Sequence, residues 1–124
     1  MEKRTILVVD DEPFILHSIV YMLKREGFET LSATDGAEGL RVAASEKPDL
    51  ILLDVTMPVM DGRQTLIKLR QQPETAKIPV IMVTAEAGKA TVVEIIKAGV
   101  SDYILKPFSP AVLMEKINKV LKAA

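Results

Sequence analysis

Short apolar runs alternate along this chain with longer segments whose apolar residues recur at helical spacing. Thr5-Ile6-Leu7-Val8-Val9 is continuous, brief and rich in β-branched residues, the pattern of a strand buried on both faces. Asp10-Asp11-Glu12-Pro13 then reads as a helix start, with an acidic cap and an early proline. Ile15, Ile19, Met22 and Leu23 predict the inward face of that helix, and Gly27 closes it. A weaker strand is expected over 30–33 and a helix over 36–45, ended before Pro48. Asp49-Leu50-Ile51-Leu52-Leu53-Asp54 predicts a third buried strand, 62–71 a third helix, and 73–79 a polar loop. Val80-Ile81-Met82-Val83-Thr84 predicts a fourth strand, 88–98 a helix closed by Gly99, and 102–105 a fifth strand. Ser109 caps and Pro110 opens the last helix, with Leu113, Ile117, Val120 and Leu121 inward.

Five strand–helix units in succession predict an α/β fold, a parallel sheet with helices on both faces. In such sheets function sits at the carboxyl ends of the strands. Those ends carry Asp10 and Asp11, then Asp54, then Thr84, then Lys106-Pro107.

Composition narrows what this edge can be. At 124 residues the chain buries about two-thirds of its unfolded surface, enough for a core without metal or disulfide staples. Without cysteine there is no disulfide, thiolate metal site or cysteine nucleophile, and one histidine excludes a multi-histidine site. A net charge of −1 argues against direct binding to nucleic acid. No apolar stretch is long enough to insert in a membrane, and the first apolar run stops too soon for a signal peptide. A cytoplasmic protein is expected.

If the strand ends share one edge, three carboxylates repel one another there. Lys106 offsets one charge and a hard divalent cation the other two. Magnesium suits oxygen ligands of this kind and keeps several waters, so Asp10, Asp11 and Asp54 are its expected ligands. An arriving phosphoryl group would meet the metal, the Lys106 ammonium and the Thr84 hydroxyl, the parts that phosphoryl transfer requires. Asp54 is then a candidate nucleophile forming an acyl phosphate. Each residue alone has a plainer explanation: Asp10-Asp11 as a helix cap, Lys106 as a solvated lysine, Thr84 as a strand-end hydroxyl. Their joint placement at successive strand ends is what argues for chemistry.

In order and at these separations, the segments Ile6-Leu7-Val8-Val9-Asp10-Asp11, Asp49-Leu50-Ile51-Leu52-Leu53-Asp54, Met57-Pro58-Val59-Met60-Asp61-Gly62, Val83-Thr84-Ala85 and Asp102-Tyr103-Ile104-Leu105-Lys106-Pro107-Phe108 resemble the receiver domain of two-component response regulators, the CheY-like family. The resemblance covers the entire chain and implies one receiver domain over 1–124. It implies a flavodoxin-like (βα)5 doubly wound sheet with strand order 2-1-3-4-5. By this resemblance Asp54 is the phospho-acceptor, charged by a sensor histidine kinase, a histidine phosphotransfer protein or a small acyl phosphate. Asp10 and Asp11 resemble the magnesium pair, with Asp54 and the Thr56 backbone carbonyl as further ligands. Thr84 and Tyr103 resemble the switch pair, and Lys106 the lysine that meets the phosphoryl group. Thr56 and Glu86 are expected to tune its lifetime, and the Lys106–Pro107 peptide to be cis. Phosphorylation would then change the surface of the 88–98 helix, the 102–105 strand and the last helix toward a downstream effector. The only catalysis implied is its own phosphorylation and dephosphorylation.

The 88–98 segment holds a single acid and the last helix no arginine, which does not fit the charged dimer face of the largest DNA-binding branch. The 96–110 stretch is closer to single-domain chemotaxis-type regulators, so any output is expected from a partner or from sequence outside 1–124. Phe14 and Tyr21 stand one heptad apart on the first helix, either as scattered surface apolar residues or as a docking stripe for a kinase or phosphotransfer bundle. His17 reads as a surface histidine. A haloacid-dehalogenase-like phosphatase is the enzyme alternative, but it wants a second Asp where this chain has Thr56. The six glycines form neither a dinucleotide fingerprint nor a P-loop.

Overall fold

A computed structural model of the chain describes residues 3–55, 57, 60–85, 96, 97 and 99–123. Its strands are β1 (Thr5–Val9), β2 (Glu29–Ala33), β3 (Leu50–Asp54), β4 (Val80–Thr84) and β5 (Asp102–Leu105). Its helices among the described residues are α1 (Pro13–Arg25), α2 (Gly36–Glu46), α3 (Gly62–Gln71) and α4 (Pro110–Ala123). The expected 88–98 helix lies mostly outside the described residues; Ile96 and Lys97 are helical.

All strand pairings are parallel, in the order β2-β1-β3-β4-β5. Alternation along each strand sends its side chains into two layers. Leu7, Val9, Ile51, Leu53, Val80 and Met82 pack under Leu40, Leu66 and Leu69 of α2 and α3. Ile6, Val8, Leu50, Leu52, Ile81 and Val83 pack under α1 and α4. Burial on both faces explains why β1, β3 and β4 read as continuous apolar runs.

Local signals set the helix limits. Asp61 and Gln64 form a reciprocal capping box at the start of α3. Asp35 accepts from the Glu38 N–H at the start of α2, and Ser109 Oγ from the Val112 N–H at α4. Gly27 and Gly99 both take positive φ just past helical residues, the geometry that favours glycine. In α1 the cap is Glu12 rather than Asp10 or Asp11, with no side-chain capping bond. The buried stripe of α1 also differs from expectation. Leu16, Ile19 and Leu23 are its buried residues, while Ile15 and Met22 lie half-buried at the margin. The 3–4 spacing of 16, 19 and 23 centres the stripe one residue further round the helix. The 73–79 loop is less polar than its composition suggests, because Thr75 is fully buried and its hydroxyl donates to the Leu69 carbonyl at 2.6 Å.

Candidate functional site

Strand register brings the candidate residues level. Val9 pairs with Leu53, Asp54 with Val83, and Thr84 with Leu105. One residue beyond these pairs stand Asp10 and Lys106. The chain runs from β1 outward to β2, then returns to β3 on the other side of β1, so Asp10 and Asp54 flank the switch point of the sheet.

Asp10 and Asp54 are 1% and 3% exposed, so neither charge is solvated by bulk water. Asp10 Oδ1 accepts from the Glu12 N–H at 2.9 Å. Asp10 Oδ2 takes the Lys106 ammonium at 3.2 Å. The same ammonium is 3.4 Å from Asp54 Oδ1. Lys106 therefore bridges both acids rather than Asp54 alone. Burial pulls its proton affinity down, but the charges and hydrogen bonds of Asp54 and Asp10 outweigh this and hold its pKa above the ordinary lysine value. The Lys106 N–H also donates to the Thr84 carbonyl at 2.7 Å, and the Lys106–Pro107 peptide is cis.

The donor set fits a hard cation. Asp10, Asp11, Glu12 and Asp54 each present a carboxylate oxygen, all within 4.8 Å of one another. These are oxygen donors of the kind magnesium takes, and Lys106 meets two of the four, Asp10 and Asp54. Glu12 was absent from the expected set. It adds a fourth negative charge, so one divalent ion and Lys106 do not reach neutrality. Its signal in the sequence is the unbroken acidic run 10–12, which also fits a helix cap.

Thr84 is fully buried at the end of β4, and Tyr103 is half-buried on β5 against the α2/α3 layer. Thr56 and Glu86 lie outside the described residues. His17 is exposed, as its surface reading expects.

Gly62, which ends one of the motifs above, has a role at the site that the sequence does not assign. A Cβ there would overlap the Asp54 carbonyl oxygen and come within 2.7 Å of Val55 Cα. The start of α3 therefore presses directly on the backbone that carries Asp54, and the Gly62 N–H donates to the Val55 carbonyl at 2.8 Å.

Beside the acids runs an apolar groove of about 540 Å³ between α1 and the Pro107 turn. Phe14, Ile15, Met22, Pro107 and Phe108 line it, and Glu12 and Lys106 stand where it meets the site. Phe14 is 83% exposed. Tyr21 is also exposed but sits beneath the Arg25 guanidinium, 5.8 Å from its ring. A cleft of about 620 Å³ lies at the amino ends of β4 and β5, near Arg70, Pro79 and Lys119, and none of Asp10, Asp11, Glu12 and Asp54 lines it. Charge, rather than depth, identifies the site. No helix among the described residues is long and apolar enough to cross a membrane.

Comparison with known proteins identifies relatives of the chain as a whole. The family model of the response regulator receiver domain matches residues 6–118. The alkaline phosphatase synthesis transcriptional regulatory protein PhoP of Bacillus subtilis is 40% identical over 97% of this chain. The chain spans only 49% of PhoP's own length, and about half of most curated relatives it matches. Protein PilH of Pseudomonas aeruginosa is 38% identical, covering 94% of this chain and 96% of PilH. Among solved structures, the receiver domain of the sensor histidine kinase PA1611 from Pseudomonas aeruginosa superposes with a TM-score of 0.90 at 30% identity, covering 98% of this chain and 99% of that one. That structure has a magnesium ion coordinated in its active site cleft.

Proposed function

The chain belongs to the response regulator receiver domain family, a family of phosphorylation-activated signalling switches, and on that premise we propose that residues 1–124 form one receiver domain with Asp54 as phospho-acceptor. A carboxylate oxygen of Asp54 attacks the phosphorus of a phosphohistidine or a small acyl phosphate. The old P–N or P–O bond breaks, and the histidine or the carboxylate leaves. Water later attacks the aspartyl phosphate and returns the carboxylate and inorganic phosphate. The observation that carries this reading is the buried Asp54 oxygen, 3.4 Å from the Lys106 ammonium and grouped with three further carboxylates.

Asp10, Asp11 and Asp54, with the Thr56 carbonyl, would hold magnesium, which supplies positive charge for the phosphoryl oxygens when bound. Lys106, released from its acids by the incoming oxygens, meets the new charge. Thr84 gives a hydroxyl to the same group, and Tyr103 follows it inward. Thr56 and Glu86, two residues after Asp54 and Thr84 in the sequence, are the proposed determinants of the phosphoryl lifetime. Phosphorylation brings about −1.5 to −2 charge to this edge. The surface of the 88–98 segment, β5 and α4 then changes its affinity for a downstream effector. The donor, a sensor histidine kinase or histidine phosphotransfer protein, docks along α1, where Phe14 and the groove adjoin the site. The chain acts in the cytoplasm, and its catalysis stops at its own phosphorylation and dephosphorylation.

Incubation with acetyl phosphate and magnesium tests this. A mass gain of one phosphoryl group, absent in Asp54→Asn, is the expected outcome; no gain in the wild type rejects it. Steady turnover of a generic phosphomonoester would favour a haloacid-dehalogenase-like phosphatase instead.

A further inference from the structure

Beyond the acid cluster, one cation stands against the aromatic side chain of β5. Lys116 of α4 places its ammonium 5.6 Å from the centre of the Tyr103 ring. That ammonium is anchored, 3.0 Å from Asp102 Oδ1. The same Asp102 oxygen accepts the Tyr103 N–H at 2.8 Å. Lys116 and Asp102 are 32% and 18% exposed in their side chains, so the pair is partly shielded from water. Lys116 lines a groove together with Tyr103, Leu105, Pro107, Phe108 and Val112. The cation is thus anchored by a carboxylate at a groove it shares with the ring, and it stands over the ring face.

We infer that Lys116 is a positioning residue for Tyr103, holding the half-buried ring where it stands here and so weighting the switch against its inward turn. A ring that turns inward leaves the ammonium behind and forfeits this contact. The lysine belongs to the helix that packs over β5, so its grip also ties the ring to α4. The inference rests on the proposed switch role of Tyr103. It adds a determinant of the resting balance that lies outside the acid cluster.

The chain has two tyrosines and no tryptophan, so Tyr21→Phe leaves Tyr103 as the one tyrosine reporter. In that background, ring-labelled tyrosine is followed by NMR before and after addition of beryllium fluoride and magnesium, a phosphoryl mimic. Lys116→Met keeps the apolar stem and removes the charge. Its unmodified ring signals should move toward the mimic-bound position, with the resting-to-inward ratio changed about two- to fivefold, the scale of one partly exposed cation–π contact. Lys116→Arg should restore the wild-type signals. Asp102→Asn keeps an acceptor for the Tyr103 N–H but frees the ammonium, and should shift the ring in the same direction; it serves if Lys116→Met folds poorly. Unmoved ring signals in a folded Lys116→Met or Asp102→Asn protein overturn the inference. Intact mass after acetyl phosphate treatment of the same samples separates the two readings. Phosphoryl uptake with an unmoved ring rejects the role of Lys116 alone, whereas no uptake in any sample rejects the receiver chemistry.

Discussion

The ammonium of Lys106 reaches 3.2 Å from Asp10 Oδ2, joining the turn after β5 to the turn after β1 across the intervening strands. It also faces Asp54, and all three side chains are largely shielded from water. Lys106 therefore offsets the repulsion of two buried acids. Removing one partner of a buried pair costs about 3–5 kcal/mol when the remaining charge is left uncompensated. Lys106→Ala should be destabilised by an amount of that order in chelator, and less so with magnesium. Urea unfolding in the two conditions checks this. The variant should still accept phosphate from acetyl phosphate, yet signal poorly to its partner.

Asp11 is only half-buried and has no part in the Lys106 bridge, so its contribution is best separated by metal binding. In the wild type, magnesium at a hundred times its dissociation constant should raise stability by about 2.7 kcal/mol. Asp11→Asn should lose most of that gain while matching or exceeding the wild type in chelator, because one like charge is gone. Thermal unfolding with and without magnesium reads both effects. An equal magnesium response in the two proteins would remove Asp11 from the ligand set.

Gly62 allows α3 to press on the Asp54 backbone. The added methyl of Gly62→Ala meets backbone atoms, which cannot rotate away, so the start of α3 or the end of β3 must shift. Overpacking of this kind costs about 1–3 kcal/mol. The same shift moves Asp54 relative to Lys106, and the rate of phosphoryl uptake from acetyl phosphate should fall by more than about tenfold, since small misplacement at a reacting group is costly. Unchanged uptake in a folded variant would show that the contact serves packing alone.

Much of this arrangement was legible in the chain. Strands buried on both faces announce themselves as apolar runs, and the residues ending those runs are the ones the parallel register brings level. The sequence alone thus predicts Asp10, Asp54, Thr84 and Lys106 at one edge. Finer features depend on which way a side chain points. The α1 stripe turned by one residue because Ile15 and Leu16 are equally apolar and only packing against β1 and β2 selects between them. Glu12 read as a cap because an acidic residue before a helix is ordinary; its oxygen joins the cluster only because the β1–α1 turn points it there. The pressure of Gly62 on Asp54 is a contact between backbones, to which no pattern of apolar and polar residues is sensitive.

Arg70 was equally silent in the sequence. Its guanidinium donates to the carbonyls of Thr75, Ala76, Ile78 and Gly99, at 2.8 Å for Ile78 and 3.0 Å for the nearer Gly99 contact. It thereby ties the α3–β4 turn to the turn before β5. Arg70→Met leaves several partly buried carbonyls without that donor and should lose about 2–3 kcal/mol in urea unfolding. Being at the amino ends of the strands, it should leave uptake from acetyl phosphate within about twofold, on the expectation that distant sites act independently.

The assignment of the phosphoryl group to one carboxylate is tested most directly by its position. After treatment with acetyl phosphate and magnesium, borohydride reduction converts an aspartyl phosphate to homoserine, which tandem mass spectrometry locates in the peptide. Homoserine at position 54, and at none of 10, 11 or 12, is the expected result. Homoserine at one of those three positions, or at none of the four, contradicts the role of Asp54.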